Sequence, residues 1–436
     1  MKLFPLTRLA GKYLIRYRRR YLFLFLALSF GFGIVTLMTS VKDGMYRNVY
    51  NSAQGHYAGD IVAVGYDKGL AADGPYLDRE NMDAVFKAAE AVKLNPVHSA
   101  ARTIFGERGV LYYNGAAVRL KYVIGADWDK EAAYFNGLEY LERRDSFEGE
   151  DAILLSAPVA EELGARLGDR LILEVDTRGG QKNTGVFIVN GLVKDSTIFG
   201  YHKVYIPRIT LNRLLLFGDD ECSSIGFFLA DPGEAGKKQA FLQRELSKTV
   251  PAGPLVKDRE ELALERNRPW TGVKVFILTI PVYLSEVADL LGAIRIIAYF
   301  LYAVMLLIIF VSALVTWRLI LRERSRELGT MRAVGFYGTD LLYVLLVETL
   351  ALALVSLIAG FFLSFFFSWL VTCIPFSWFP SFEIFMKDGK LRSLYLPETM
   401  LINIAAVFAV LIAAVWEPAF RSSRDHLPEM LSGRLV

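Results

Sequence analysis

Four apolar runs divide the chain, and each is long enough to cross a bilayer. A helix needs about 20 apolar residues to span the hydrocarbon core. The run from Tyr21 to Val41 carries no charge, and the third run is interrupted only by Glu348. The pattern predicts transmembrane helices at residues 21–41, 289–318, 341–371 and 399–417. A shorter apolar stretch, Val275 to Leu284, cannot span, and we expect it to pack at the membrane surface or to begin a long helix that leads into the second span.

Residues 42–288, between the first and second spans, have the pattern of a soluble α+β domain with a stalk. Arg170 to Val175 and Gly185 to Val193 alternate apolar and polar positions, which predicts two half-buried strands. Arg79 to Val92 has apolar residues at helical spacing. Ser285 to Arg295 is predicted to extend the second span outward as a helix that serves as a lever.

Lysine and arginine set the orientation. Segment 1–20, loop 319–340 and tail 418–436 are rich in these residues, whereas loop 372–398 balances its few basic residues with acidic ones. The positive-inside rule then puts both termini and loop 319–340 in the cytoplasm, with the α+β domain and loop 372–398 outside. Segment 1–20 also predicts a basic amphipathic helix on the inner leaflet. The formal net charge of +3 is too small to indicate a nucleic-acid partner.

Motifs for catalysis, cofactors and metals are missing from the sequence. The histidines show no metal-ligand spacing, and there is neither a nucleophile elbow nor an HExxH motif. The segment Gly233 to Lys238 has the wrong spacing for a nucleotide-binding P-loop. We therefore expect no catalytic, cofactor-binding or metal site in this chain. The cysteines, Cys222 and Cys373, are too few and too far apart for a disulfide framework and are interpreted as free.

The sharpest local pattern lies between Arg322 and Glu348, in the predicted cytoplasmic loop and the start of the third span. Charges of both signs are followed by a stretch with Gly329, Gly335 and Gly338. The pattern predicts a short helix parallel to the membrane and then a sharp reversal of the chain at the glycines. Such a helix suits a polar docking cleft in a partner, although ordinary lipid-facing charge gives the same pattern.

The residues of this loop resemble a known family. Arg326-Glu327-Leu328-Gly329 and Met331-Arg332-Ala333-Val334-Gly335, followed by Glu348, look like the "RxREIGxLRAxG…E" signature of FtsX/MacB/LolC-type ABC permeases. Gly360 also fits that pattern. The tail, Pro418 to Arg424, resembles the ending of the family, and Leu163 to Asp169 resembles its periplasmic core domain. Lys12-Tyr13-Leu14, with the first span, is closest to the LolC/LolE branch.

The resemblance implies an ABC permease with four transmembrane helices, a MacB-like periplasmic core and no ATPase of its own. A dimer of separate ABC ATPase subunits would bind the ATP, and a second copy or a paralogue would complete the permease. In such permeases, closure of the ATPase dimer moves the membrane helices and, through them, the outer domain. The residues implied in ATPase coupling are Arg324, Arg326, Glu327, Gly329, Arg332 and Gly335.

Glu348 is a carboxylate inside an apolar run, which is costly unless it faces protein. Two interpretations stay open. It either couples the ATPase to the membrane helices through an arginine near a helix end, or it is a structural tie between helices.

For the substrate, the leading hypothesis is release of lipoproteins from the bacterial inner membrane. Gly31 and Gly33 permit close helix approach, so that the first span, at Phe30, Ile34 and Met38, and the second span would line a groove for acyl chains. The alternatives are a MacB-like exporter of peptides or small molecules and an FtsX-like regulator of a cell-wall hydrolase. A membrane sensor without an ATPase ranks lowest, because it leaves the loop and tail patterns unexplained.

Overall fold

The computed structural model describes residues 18–68, 75–144, 149–194, 199–374, 385–386 and 390–424. The chain divides into two compact units. One contains Met1–Tyr46, Leu291–Pro375 and Lys390–Val436, and the other contains Arg47–Leu290 and Phe376–Gly389. Most of the predicted amphipathic segment 1–20, the tail beyond residue 424 and residues 375–384 and 387–389 of loop 372–398 lie outside the described residues.

The elements of both units follow in chain order. The helices are α1 (Arg18–Tyr57), α2 (Arg79–Ala91), α3 (Ala132–Asn136), α4 (Ala157–Leu163), α5 (Arg208–Leu215), α6 (Ala235–Leu246), α7 (Arg259–Asn267), α8 (Ile280–Tyr283), α9 (Ser285–Glu323), α10 (Ser325–Ala333), α11 (Gly338–Cys373) and α12 (Pro397–Arg424). The strands are β1 (Ile61–Asp67), β2 (His98–Tyr113), β3 (Ala116–Ala126), β4 (Tyr140–Arg143), β5 (Ala152–Ser156), β6 (Arg170–Asp176), β7 (Lys182–Val193), β8 (Lys203–Pro207), β9 (Ser224–Phe228) and β10 (Val273–Thr279).

The predicted membrane architecture is confirmed: within the part of the chain that the structure describes, four helices are long and apolar enough to cross a bilayer. They are Tyr21–Tyr57, Val287–Glu323, Gly338–Cys373 and Pro397–Trp416. Helix α1 continues beyond its apolar run to Tyr57, and its 40 residues give it a length of about 60 Å. Helix α9 begins at Ser285, ahead of the second apolar run, as the sequence predicted.

Glycines allow α1 to pack closely against two of its neighbours. A Cβ atom on Gly360 of α11 would lie 2.5 Å from the carbonyl oxygen of Ser29, and one on Gly33 would lie 3.1 Å from the carbonyl oxygen of Gly360. A Cβ atom on Gly31 would lie 2.8 Å from a side-chain carbon of Ile309 in α9. The two glycines of the first span therefore lie at helix crossings, where small residues let backbones approach.

The second unit is built around a closed ring of six hydrogen-bonded strands, in the order β2, β3, β8, β5, β7, β6 and back to β2. One hydrophobic cluster takes buried side chains from all six strands. The first half of β2 pairs instead with β9, which continues through β1 to β10. Ring closure leaves those strand segments without a free edge, and β2 joins the ring to the β9–β1–β10 sheet.

The prediction for Val275 to Leu284 is wrong in its first half. These residues belong to strand β10, which pairs antiparallel with β1 from Val273 to Thr279, and only Ile280 begins a short helix. Every residue from Val275 to Thr279 is buried. Because a strand buried on both faces shows no alternation, its pattern is that of any short apolar run.

The orientation predicted from the basic residues can be tested at positions that the structure shows to be exposed. We expect a cysteine at Glu234 to react with an impermeant thiol reagent in intact spheroplasts, and one at Thr330 to react only after lysis. The background carries Cys373→Ser, because Cys373 is exposed and Cys222 is buried. Labelling at Thr330 without lysis would contradict the orientation.

Candidate functional site

Helix α10 follows α9 after a single non-helical residue, Arg324. Ser325, Leu328 and Gly329 are buried on one side of α10. Arg326 and Thr330 are exposed on the other side. The short helix predicted from the alternating charges is therefore present, with an apolar inner face and a polar outer face.

Gly335 makes the reversal after α10 possible. Its φ of +105° lies in the region that glycine adopts readily and other residues avoid. The amides of Gly335 and Phe336 donate to the carbonyls of Arg332 and Met331, which closes the end of the helix. Asp340 then accepts a hydrogen bond from the Tyr337 amide at 3.0 Å and caps α11. Among the three predicted glycines, Gly335 is the one whose backbone requires glycine.

Arg324 points inward and meets Glu348. Its Nη1 donates to Glu348 Oε2 at 2.7 Å and its Nη2 to Oε1 at 3.3 Å, a two-pronged pairing. Tyr21 donates its hydroxyl to Glu348 Oε2 at 2.8 Å and accepts from Arg324 Nη1 at 3.1 Å. The exposed fractions are 0% for Glu348, 1% for Arg324 and 3% for Tyr21. We call Tyr21, Arg324 and Glu348 the inner triad; it joins α1, the α9–α10 connection and α11.

The inner triad changes what each predicted coupling residue can do. Arg324 is buried and cannot be a direct contact for a partner. Arg326 is exposed, Glu327 and Arg332 are half-buried, and Gly329 lies in the inner face. The exposed apolar residues Val334 and Tyr337, at 78% and 75%, adjoin this surface and were not anticipated. We use the name outer face of α10 for the exposed residues Arg326 and Thr330 of α10 together with the exposed residues Val334 and Tyr337 that follow it.

The sequence pattern did not predict the role of Tyr21, because in that pattern it is only the first residue of an apolar run. Trp317 of α9 packs against it with ring centroids 5.9 Å apart and is fully buried. The sequence did contain one indication of this contact. Tyr21 places a polar hydroxyl at the edge of an apolar run, and a carboxylate is expected at a similar depth in another span.

The proposed groove residues lie on one face of α1. Phe30 is 52% exposed, and its ring contacts that of Phe367 in α11 edge-on at 5.8 Å. Ile34 and Met38 are half-buried. At Phe30 the neighbour is thus the third span, where the sequence had suggested the second.

The second unit has few candidates for chemistry among its described residues. Among the described residues, no group of three His, Cys, Asp or Glu side chains is arranged to hold a metal ion. Of the outer aromatic residues, Phe135 is buried, Trp128 is half-buried against it with centroids 4.6 Å apart, and Tyr112 is exposed. These aromatic residues contribute mainly to packing.

The inner triad predicts an asymmetric response to mutation. Glu348→Leu removes the two-pronged carboxylate partner of a buried arginine and leaves it the longer contact with Glu327, at 3.9 Å from its Nε. It should lower the free energy of unfolding by about 3–5 kcal/mol. The double variant R324L/E348L removes both charges and should lie within about 2 kcal/mol of wild type. Denaturant unfolding of the purified protein in detergent measures both values. Arg322→Leu, at an exposed position, is the control and should change stability by less than about 0.5 kcal/mol. A double variant as unstable as Glu348→Leu would contradict this account.

Two family models match the chain. The FtsX-like permease C-terminal model matches residues 299–427, which contain α10, the glycine turn and Glu348, and the MacB-like periplasmic core domain model matches residues 22–236. No functionally curated protein matches.

Among solved structures, the chain is similar to the periplasmic region of MacB from Actinobacillus actinomycetemcomitans, with 14% identity and a TM-score of 0.33, over 54% of this chain and 96% of that chain. It is also similar to a domain of a putative permease protein from Porphyromonas gingivalis, with 13% identity and a TM-score of 0.27, over 51% of this chain and 89% of that chain. The two family models, rather than these distant structural similarities, show an FtsX-like permease C-terminal region and a MacB-like periplasmic core domain in one chain, and they support an ABC transporter permease of the FtsX/MacB type.

Proposed function

We propose that the chain is the membrane subunit of a transporter that releases lipoproteins from the bacterial inner membrane, driven by a separate ATPase dimer that docks on the outer face of α10. Its termini would be cytoplasmic, and a second copy or a paralogue would complete the permease. The inner triad is the observation that carries this proposal. It connects the segment available to a cytoplasmic partner with two membrane helices.

The chemistry of the outer face suits docking. Arg326 offers a charge, and Val334 and Tyr337 add apolar surface beside it. Interfaces commonly combine an aromatic residue and an arginine at their centre. A partner bound here would touch α10 without direct contact with Arg324, which is buried.

The inner triad gives docking a mechanical consequence. A two-pronged arginine–carboxylate pair fixes both the distance and the relative orientation of its partners. Movement of α10 therefore displaces Arg324, and with it Glu348 of α11 and Tyr21 of α1. Both interpretations of Glu348, coupling residue and structural tie, describe the same contact. The coupling interpretation adds that the ATPase pulls on it.

The apolar row on α1 supports a lipidated substrate. Leu22, Leu26 and Phe30 recur every four residues and are neighbours on the helix surface. Ile34 and Met38 continue this row, which winds around the helix by about 40° at each step. The first three are each about half exposed, at 49%, 51% and 52%. An acyl chain gains about 0.8 kcal/mol for each CH₂ group that it buries, so it needs an apolar surface and no specific polar contact.

Charge reversal tests docking. We expect Arg326→Glu to abolish stimulation of ATP hydrolysis in the reconstituted complex, because it places a carboxylate where the partner meets an arginine. Membrane insertion should be unchanged. Arg295→Glu is the matched control: it is the same change at an exposed position near the other end of α9, and it should hydrolyse ATP like wild type. Normal stimulation by Arg326→Glu would exclude this docking surface.

Crosslinking separates the substrate classes. Photo-reactive residues at Phe30, Ile34 and Met38 should form adducts with lipoproteins that disappear when ATP is added. Probes at Tyr112 and Trp128 report on partners of the outer domain. Adducts at these two positions alone, and with a cell-wall hydrolase, would reject lipoprotein release in favour of a regulator. Adducts with peptides or small molecules would instead favour a MacB-like exporter.

A further inference from the structure

The carboxyl end of α1 is fastened inside the second unit. The helix ends at Tyr57, and Ala58 adopts a left-handed conformation with φ of +63° before β1 begins. The last carbonyls of a helix have no partner within it. Here Arg102 of β2 supplies one, because its Nη1 donates to the carbonyl oxygen of Gly55 at 2.5 Å and to that of His56 at 3.2 Å.

Arg102 is itself held by Glu131. Its Nε donates to Glu131 Oε2 at 2.8 Å, and its Nη2 donates to the same oxygen. Both side chains are fully buried, and the guanidinium lies 4.7 Å from the ring centroid of Tyr134. Burial acts to lower the pKa of Arg102, but the Glu131 carboxylate together with Tyr134 and Tyr205 outweighs it and raises that pKa. The arginine therefore stays charged at the end of the helix where the helix dipole favours a cation.

Asp60 fastens the same turns a second time. It is fully buried and accepts from the Tyr50 hydroxyl at 2.7 Å and from Gln54 Nε2 at 2.9 Å, both on α1. Its other oxygen accepts from the backbone amide of Leu229 at 2.8 Å. The last two turns of α1 are thus fixed to the chain around them by two separate sets of hydrogen bonds.

The start of α9 joins the same assembly. Tyr57 stacks on Tyr283 with ring centroids 3.7 Å apart and planes 16° apart. Arg259 donates its side chain to the Tyr57 hydroxyl at 2.8 Å and its backbone amide to the hydroxyl of Ser285 at 3.0 Å. Ser285 is the first residue of α9. The outer ends of the helices that carry the first two spans therefore meet at one place.

We infer that Arg102 is a positioning residue: with Glu131 it clamps the carbonyl end of α1 to strand β2, so that displacement of α1 is carried into the six-stranded ring. The attraction between the two charges is by itself weak evidence of a gain in stability, because apolar residues of similar volume often replace a buried ion pair without loss. What apolar residues cannot supply is a donor to the two carbonyls of α1. The part of the inference that concerns ATP-driven movement rests on the proposed function.

The double variant R102M/E131M tests the clamp without leaving an unpaired buried charge. The matched control is Arg119→Met, an exposed arginine on β3 in the same ring. Both are compared with wild type by hydrogen exchange in the full chain, reconstituted with its ATPase in lipid nanodiscs. One readout is the exchange of amides 50–57 without nucleotide. The other is the change that ATP causes in the amides of β2 and β6.

We expect the double variant to exchange amides 50–57 about tenfold faster, because the end of α1 opens locally. ATP hydrolysis should be retained, while the response of β2 and β6 to ATP should fall about fivefold or more. Arg119→Met should match wild type in every readout.

Unchanged exchange at 50–57 would overturn the clamp. Faster exchange with a full response to ATP would overturn its role in transmission. A wild-type complex in which the ATPase neither binds nor is stimulated would refute the proposed function, while the exchange at 50–57 would still decide the clamp.

Discussion

A carboxylate with no exposed surface, on a helix that crosses a membrane, has to be matched by a cation, and in this chain Arg324 matches Glu348. That requirement fixes much of the first unit. Arg324 must turn inward, so it occupies the break between α9 and α10, and α10 then leaves that point with its own polar face outward. Gly335 is needed because the chain has to return into α11, which carries Glu348. The short helix α10, its glycine turn and the third span are thus parts of one arrangement.

Helix α1 meets a buried arginine–glutamate pair near each of its ends. Near its beginning, the Tyr21 hydroxyl bonds to Glu348 and Arg324. At its other end, the carbonyls of Gly55 and His56 accept from Arg102, which is paired with Glu131. Between these points Gly33 lies against Gly360, where no side chain would fit. Each pair therefore fixes its own stretch of α1, the first within the unit of the membrane helices and the second within the unit of the strands.

Sequence alone predicted the parts of this protein that depend on local pattern. Long uncharged runs gave the four spans, and strict alternation gave strands such as β6. The fully buried strand β10 was misinterpreted because an apolar run without alternation fits several structures. Strand β2 was not predicted at all: Gly106 and Gly109 interrupt it, and its two halves pair with different partners.

Contacts between distant segments could not be read in the same way. Closure of the ring depends on pairings far apart in the chain, such as β3 with β8. In the coupling loop the residue types were informative, but their directions were not. Arg324 and Arg326 are two residues apart in sequence, yet one is buried against Glu348 and the other is exposed. Only the fold separates a tie between helices from a docking residue.

The central claim is that the buried Arg324–Glu348 pair transmits the action of the ATPase as well as stabilising the helices. The most direct test is the rate of ATP hydrolysis by the partner ATPase reconstituted with R324L/E348L. We predict that stimulation of hydrolysis is lost in that variant even though the permease remains folded and still binds the ATPase. Stimulation at the wild-type rate would contradict the claim and leave the pair as a structural tie alone.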